Sequence, residues 1–70
     1  MKFELIMIIC STLANDCTPP VSDNVLYNTH YKCAISGYNK SIDVLNNFTE
    51  EKVNKAKIIV SFGCVEITAS

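Results

Sequence analysis

The chain contains no arginine, and its six basic residues are all lysines that lie scattered along the sequence. Nucleic-acid recognition depends on clustered basic residues and on the bidentate fork of the arginine side chain. The net charge is −1 at pH 7. The composition therefore argues against a nucleic-acid partner.

Several further features are missing from the sequence. No stretch approaches the roughly 18 uncharged apolar residues that a membrane-spanning helix needs. There is no glycine-rich phosphate loop, no pair of carboxylates with an evident pocket, and no nucleophile elbow. The sequence therefore predicts a non-enzymatic protein, and it indicates no small-molecule substrate, no cofactor and no transmembrane segment.

The size of the chain limits the core that it can form. Its 70 residues make one small domain, residues 1–70, of which 49% are hydrophobic and 19% are charged. A chain of this length buries only about 60% of the surface that its unfolded form exposes. Such scaffolds are usually stabilised by disulfides, a metal or a partner chain, and the four cysteines supply material for the first two.

Residues 3–10 and 57–67 are predicted as strands, because both are rich in β-branched and aromatic residues. An alternative interpretation makes residues 1–14 a signal peptide, with small residues before a cleavage site at Ala14. Glu4 interrupts the start of that segment, and cleavage would leave an odd number of cysteines. The strand interpretation is favoured, and with it a cytoplasmic location. The alternative predicts a periplasmic or secreted cysteine-containing peptide.

Between the two strands, apolar residues recur at helical spacing, which predicts a long amphipathic helix over residues 23–47. Ser22 or Asp23 is a suitable N-cap after the loop of residues 11–22. A short second helix is predicted over residues 50–56. The order strand, helix, strand indicates an α/β fold, a small β-α-β unit, with α+β as the alternative.

A helix that bridges two strands favours a parallel pair with a right-handed crossover. We therefore expect a two-stranded sheet with one face covered by the long helix. An antiparallel pair stays open, because the connection from Cys10 to Ser22 is long enough to carry the chain back along the sheet.

Three small residues, Ala34, Gly37 and Ser41, are nearly aligned on the apolar side of the predicted helix. A glycine inside a helix costs roughly 1 kcal/mol relative to alanine. The close approach of another backbone is a sufficient reason to keep it there. We expect these residues to mark the line along which the helix lies on the sheet; the alternative is an incidental glycine.

A parallel β-α-β unit would gather all four cysteines at one end of the molecule. Strand alternation places Cys64 on the same face as Phe62, toward the helix, and Cys10 on the other face with Glu4. The favoured disulfides are therefore Cys33–Cys64 and Cys10–Cys17. Free thiols, a redox role and a zinc site remain as alternatives, and the zinc ligands would be His30, Cys33, Cys64 and Cys17.

The sheet face away from the helix would be apolar and bare. Its predicted members are Ile6, Ile8, Ile59, Val65 and Ile67. A two-stranded sheet with an uncovered apolar face and open edges is incomplete in water. We expect this face to bind another protein or a second copy of the chain, which would make a homodimer.

Short motifs along the chain carry a resemblance. They are Ile9-Cys10-Ser11, Cys17-Thr-Pro-Pro, Tyr31-Lys-Cys-Ala, Gly37-Tyr38, Val53-Asn54-Lys55 and Phe62-Gly-Cys-Val-Glu66. In this order they resemble small four-cysteine proteins of marine bacteriophages and their bacterial hosts. The resemblance covers most of the chain and implies a viral or bacterial accessory protein. It supplies no activity and no functional residues.

Overall fold

A computed structural model describes residues 2–68, so the predicted domain of residues 1–70 extends past this range at both ends. The chain forms four strands and two helices within it. In order they are β1 (Lys2–Ser11), β2 (Asp16–Cys17), β3 (Val21–Tyr27), α1 (His30–Asn47), α2 (Glu50–Ala56) and β4 (Ile58–Ile67). The molecule is flat and elongated, with extents of 44 × 20 × 15 Å.

The fold is α+β, with a four-stranded antiparallel sheet built around β1. One edge of β1 pairs with β4 along its whole length, from Lys2 opposite Ile67 to Ser11 opposite Ile58. The other edge pairs first with β3 and then, at Cys10 and Ser11, with the short β2. The predicted two-stranded parallel sheet is therefore wrong in both strand number and strand direction.

The strand direction follows from a reversal that the sequence analysis kept only as its alternative to the parallel pair. The segment predicted as a loop, residues 11–22, turns the chain back at once, and β2 and β3 both run antiparallel to β1. The chain has then returned to the starting end of β1 before any helix begins. Because α1 carries it forward again, β4 enters from the far end and runs antiparallel.

The long helix begins seven residues later than predicted, at His30 rather than residue 23. Its N-cap is Thr29, whose hydroxyl accepts a hydrogen bond from the backbone N–H of Lys32 at 3.1 Å. The predicted caps Ser22 and Asp23 lie in β3 instead. Helical spacing had extended the prediction backward through residues that pair with β1, so tertiary pairing overrode the local pattern.

The other predicted elements differ from the structure by at most one residue at each end. The strand predicted at 3–10 is Lys2–Ser11, and the one at 57–67 is Ile58–Ile67. The short helix at 50–56 is α2, which Thr49 caps by accepting from the N–H of Lys52. Lys57, in the left-handed conformation at φ 55°, ends α2 and lets β4 start immediately.

The core lies between α1 and the sheet. Opposed residues of an antiparallel pair point to the same face, so Leu5 and its partner Cys64 both face α1. Leu5 and Cys33 are completely buried, at 0% exposure. The alternate residues of β1 and β4 point away from the helix, and no described element covers them.

Candidate interaction surfaces

The open sheet face is the side of the sheet opposite α1. It carries all the residues predicted for it, namely Ile6, Ile8, Ile59, Val65 and Ile67, and Leu26 of β3 joins them opposite Glu4. Ile59 is 48% exposed, Val65 50% and Leu26 55%. Ile6, Ile8 and Ile67 are half-buried. A partly exposed row of aliphatic side chains thus lies on three adjacent strands of the single chain.

Glu4 is the acidic side chain within the open sheet face. Its carboxylate accepts a hydrogen bond of 2.9 Å from the hydroxyl of Ser22 on the neighbouring strand. The same hydroxyl accepts from the backbone N–H of Asn24 at 3.1 Å, where the chain takes a positive φ of 62°. The carboxylate therefore sits toward the β3 side, beside the aliphatic residues of β1 and β4.

Two disulfides staple the fold, with the pairing that strand alternation predicts. Cys33 of α1 is joined to Cys64 of β4, and Cys10 is joined to Cys17 across the β1–β2 pair. The expectation that all four cysteines meet at one end is wrong. Cys64 lies opposite Leu5, five residues from Cys10 along β1, or about 17 Å at the rise of an antiparallel strand.

The alternative zinc ligands are consequently not brought together. Cys17 is bound to Cys10 at the far end of the sheet, while Cys33 and Cys64 are bonded to each other. His30 packs edge-to-face against the ring of Phe3, with 5.7 Å between ring centroids. Within residues 2–68 no group of three or more His, Cys, Asp or Glu side chains is arranged to hold a metal.

The small residues of α1 do mark a close approach to the sheet. Gly37 is buried, and a Cβ placed on it would lie 2.7 Å from Cζ of Phe62 and closer still to two other ring carbons. Ala34 is half-buried beside it. Ser41, also half-buried, donates its hydroxyl proton to the carbonyl of Gly37 at 2.7 Å. The absence of a side chain at residue 37 therefore makes room for an aromatic ring.

A polar cluster ties β3 to α1. Asp23 accepts from Lys40 at 2.9 Å and from the hydroxyl of Tyr27 at 2.7 Å, and that hydroxyl lies 2.7 Å from Oγ of Ser36. The backbone N–H of Val25 donates to the other oxygen of the carboxylate at 3.1 Å. Sequence analysis placed Asp23 at the helix start and missed the cluster, because it depends on β3 lying beside α1.

The charges of this cluster hold each other in the ionised state. Burial alone would raise the pKa of Asp23, but hydrogen bonds from Lys40, Tyr27 and the Val25 backbone outweigh it and lower the pKa. The hydrogen bond to Asp23 in turn raises the pKa of Lys40. A carboxylate stabilised in this way is a weak base, so the cluster is suited to holding two elements together.

The surface hollows are shallow, and their chemistry is sparse. One of them, about 400 Å³, lies between α1 and β4 and has His30, Tyr38 and Phe62 in its lining. A second, about 360 Å³, lies beside the Cys10–Cys17 disulfide. The third, about 170 Å³, is lined mainly by aliphatic side chains, including Met7 and Val44.

Comparison of the chain with protein-family models, with curated proteins and with solved structures finds no match. Neither helix of the described range is long and apolar enough to cross a membrane. What the chain does must therefore be argued from its own surfaces.

Proposed function

We propose that the chain is a small, non-enzymatic interaction protein, stapled by two disulfides, that binds a second copy of itself through the open sheet face. The observation that supports this most strongly is the small core. Of the hydrophobic side chains in residues 2–68, only Leu5 and Cys33 fall in the buried class. A chain that is 49% hydrophobic thus leaves much of its apolar surface in contact with water.

The open sheet face has the composition of one half of a sandwich core. Two such faces pack about 10 Å apart, with their side chains interdigitated. A stable interface of standard size takes about 800 Å² from each partner, which is about a sixth of the 5045 Å² that this chain exposes. A second copy offers an identical aliphatic surface, so the contact is self-complementary and closes as a two-fold dimer.

The accessory role that the phage and host resemblance implies is compatible with this proposal. An accessory protein that acts by binding needs a presented surface and no catalytic group. The proposal names the residues of that surface and identifies its partner as a second copy of the chain.

The proposal is tested by placing a charge in the open sheet face. Ile59→Lys on β4 and Ile8→Lys on β1 each bury an ammonium group in the contact, which is strongly unfavourable without a partner charge. We expect either change to weaken self-association by at least about tenfold, or 1.4 kcal/mol. Sedimentation equilibrium over a range of micromolar concentrations measures it.

Leu13→Lys is the matched control, because Leu13 is 70% exposed in the turn after β1 and lies outside the open sheet face. It adds the same charge and is expected to leave association unchanged. Circular dichroism of each variant verifies that the fold is intact. A wild-type chain that stays monomeric throughout, or folded Ile8→Lys and Ile59→Lys variants that associate as tightly as wild type, would refute the proposal.

A further inference from the structure

A second apolar surface runs along α1 and is separate from the side that packs on the sheet. Its members, which we call the helix stripe, are Tyr31, Ile35, Tyr38 and Ile42, and they are 74%, 46%, 64% and 57% exposed. They follow one another at spacings of four, three and four residues. This is the spacing of the a and d positions of a heptad, which line the contact between paired helices.

Sequence analysis missed the helix stripe because it treated the helix as having one apolar side. The heptad spacing was visible in the sequence, but a helix on a sheet needs only one buried side. Only the position of the sheet shows that a second apolar side is left over.

The outer edge of β4 is also without a partner in the described part of the chain, since β4 pairs with β1 alone. Residues 58–65 contain no charge and no proline, the two devices that usually protect an exposed edge. The opposite edge, β3, is protected by contrast. It carries a register irregularity, and Asn24 there adopts a positive φ.

The helix stripe and the open edge of β4 lie on the same side of the molecule. The ring of Tyr38 packs edge-to-face on Phe62, with centroids 4.8 Å apart, and Tyr38 and Phe62 both line the 400 Å³ hollow between α1 and β4. Tyr38 is central in the stripe, and Phe62 is central in β4. The midpoints of the two features therefore nearly coincide.

We propose that β4 pairs antiparallel with β4 of a second copy, about a two-fold axis that passes near Phe62 and is perpendicular to the sheet. The two three-strand-wide sheets then join into one continuous sheet, and both α1 helices lie on its same face. The axis passes near the midpoints of both β4 and the helix stripe. The same two-fold rotation therefore gives the outer backbone groups of β4 hydrogen-bond partners and brings the two helix stripes into contact.

The spacing of the elements suits this arrangement. Strands in a sheet lie about 4.8 Å apart. The helix packs mainly on β4 and next on β1, so its axis lies about half a strand spacing inside the open edge. Across the two-fold axis the α1 helices would be about 10 Å apart, which falls within the usual distance for packed helices.

This edge interface uses a different surface from the open sheet face and holds or fails independently of the proposed function. The two interfaces together predict a closed tetramer, and either one alone predicts a dimer. Breaking either interface of the tetramer leaves a dimer, so the surface that carries the mutation, and not the number of copies lost, identifies the interface that was broken.

The test charges the helix stripe while leaving the sheet unchanged. Ile35→Lys combined with Ile42→Lys puts four like charges at the two-fold contact of the pair. Leu13→Lys combined with Asn47→Lys is the matched control, because it adds the same charge at exposed positions away from the helix stripe. Sedimentation equilibrium reports the mass of each variant.

We expect the assembly of the stripe variant to contain half as many copies as the wild-type assembly, and the control to have the wild-type mass. The dissociation constant of the edge contact should be at least tenfold higher in the stripe variant than in the control. Hydrogen exchange resolves the strand pairing. The β4 amides that point away from β1 should be protected in wild type and exchange at least tenfold faster in the stripe variant.

Three results would overturn the edge interface. The first is a folded stripe variant that keeps the wild-type mass. The second is free exchange of the outward β4 amides in the wild-type assembly. The third is a control that dissociates as far as the stripe variant. Ile35→Ser with Ile42→Ser, which removes the apolar contact without adding charge, distinguishes loss of pairing from loss of folding. It should reproduce the loss of mass while keeping the helical circular dichroism.

Discussion

Gly37 is the residue at which the backbone of α1 comes closest to the sheet. The ring of Phe62 occupies the space that a side chain at residue 37 would need, and the ring of Tyr38 packs edge-to-face on Phe62. The glycine has an ordinary helical conformation. Gly37 therefore matters because it has no Cβ. The helix propensity lost at this position is offset by the close packing of the Phe62 ring against α1.

Gly37→Ala is expected to destabilise the fold despite the better helix propensity of alanine. The added methyl group meets a packed ring, and such overpacking costs about 1–3 kcal/mol, against a propensity gain of roughly 1 kcal/mol. Urea unfolding at one protein concentration measures the difference. Asn39→Ala, at an exposed position of the same helix, should gain stability, and Phe62→Leu should relieve Gly37→Ala. An alanine at residue 37 as stable as wild type would show that the ring moves aside freely.

The Asp23–Lys40 pair gives stability a defined dependence on pH. Because the folded pKa of Asp23 lies below its ordinary value of 3.8, its contribution is full above that value and is lost as the pH falls through the folded pKa. The folded pKa of Lys40 lies above its ordinary value of 10.5. Its contribution is full below that value and is lost as the pH rises through the folded pKa.

Asp23→Asn should therefore flatten the fall in unfolding free energy below about pH 4 and should also reduce the fall at strongly alkaline pH. Urea titrations at a series of pH values measure both limbs. Asp43→Asn, which removes an exposed carboxylate from α1, the helix that carries Lys40, is the control and should keep the wild-type acid limb. An acid limb that is unchanged in Asp23→Asn would mean that the pair contributes nothing to the pH dependence.

Among the elements, α1 is the one with three different sides that make or offer contacts. It contributes Cys33 to the disulfide with β4, holds β3 through Lys40, and presents the helix stripe on a third side. A helix with apolar residues on two sides has a broad periodic pattern. That breadth explains why the pattern failed to mark the helix start.

The two disulfides should contribute different amounts to the free energy of unfolding. Cys33–Cys64 joins α1 to β4 over a sequence separation of 31, whereas Cys10–Cys17 closes a separation of 7. The chain-entropy relation gives about 4 kcal/mol for the first and about 2 kcal/mol for the second. Replacing Cys33 and Cys64 together by alanine should lower the unfolding free energy more than replacing Cys10 and Cys17, as measured by urea unfolding. An equal or reversed order would contradict the assignment of Cys33–Cys64 as the main staple.

In the whole molecule, folding stability and the proposed self-association depend on the same exposed apolar surfaces. The sheet has one covered face, and Leu5 and Cys33 are the fully buried side chains of the core. Disulfides stabilise the chain without covering its apolar surface. Under the two proposed interfaces, a second copy would cover the open sheet face and the helix stripe with its neighbouring β4 edge, so the free energy of unfolding should rise with protein concentration.

Local pattern was enough to predict β1, α2 and β4 to within a residue at each end, because each has a clear period or a clear cap. It was also enough for the disulfide pairing, even though the predicted strand direction was wrong. Alternation puts Cys64 on the helix side and Cys10 on the other side whichever way β4 runs. Strand β3 was not predicted, and its residues 21–22 were assigned to the loop and 23–27 to the helix, because their pairing with β1 is non-local and leaves no mark on the local spacing.

The sequence by itself determined which side chains share a face, since alternation along a strand and rotation along a helix are properties of the backbone. It therefore predicted the open sheet face and the glycine under α1. The tertiary structure alone decided strand direction, the separation of the two disulfides and the free edge of β4. These depend on the path of residues 11–29, where an early reversal, set by pairing with β1, determined from which end the last strand enters.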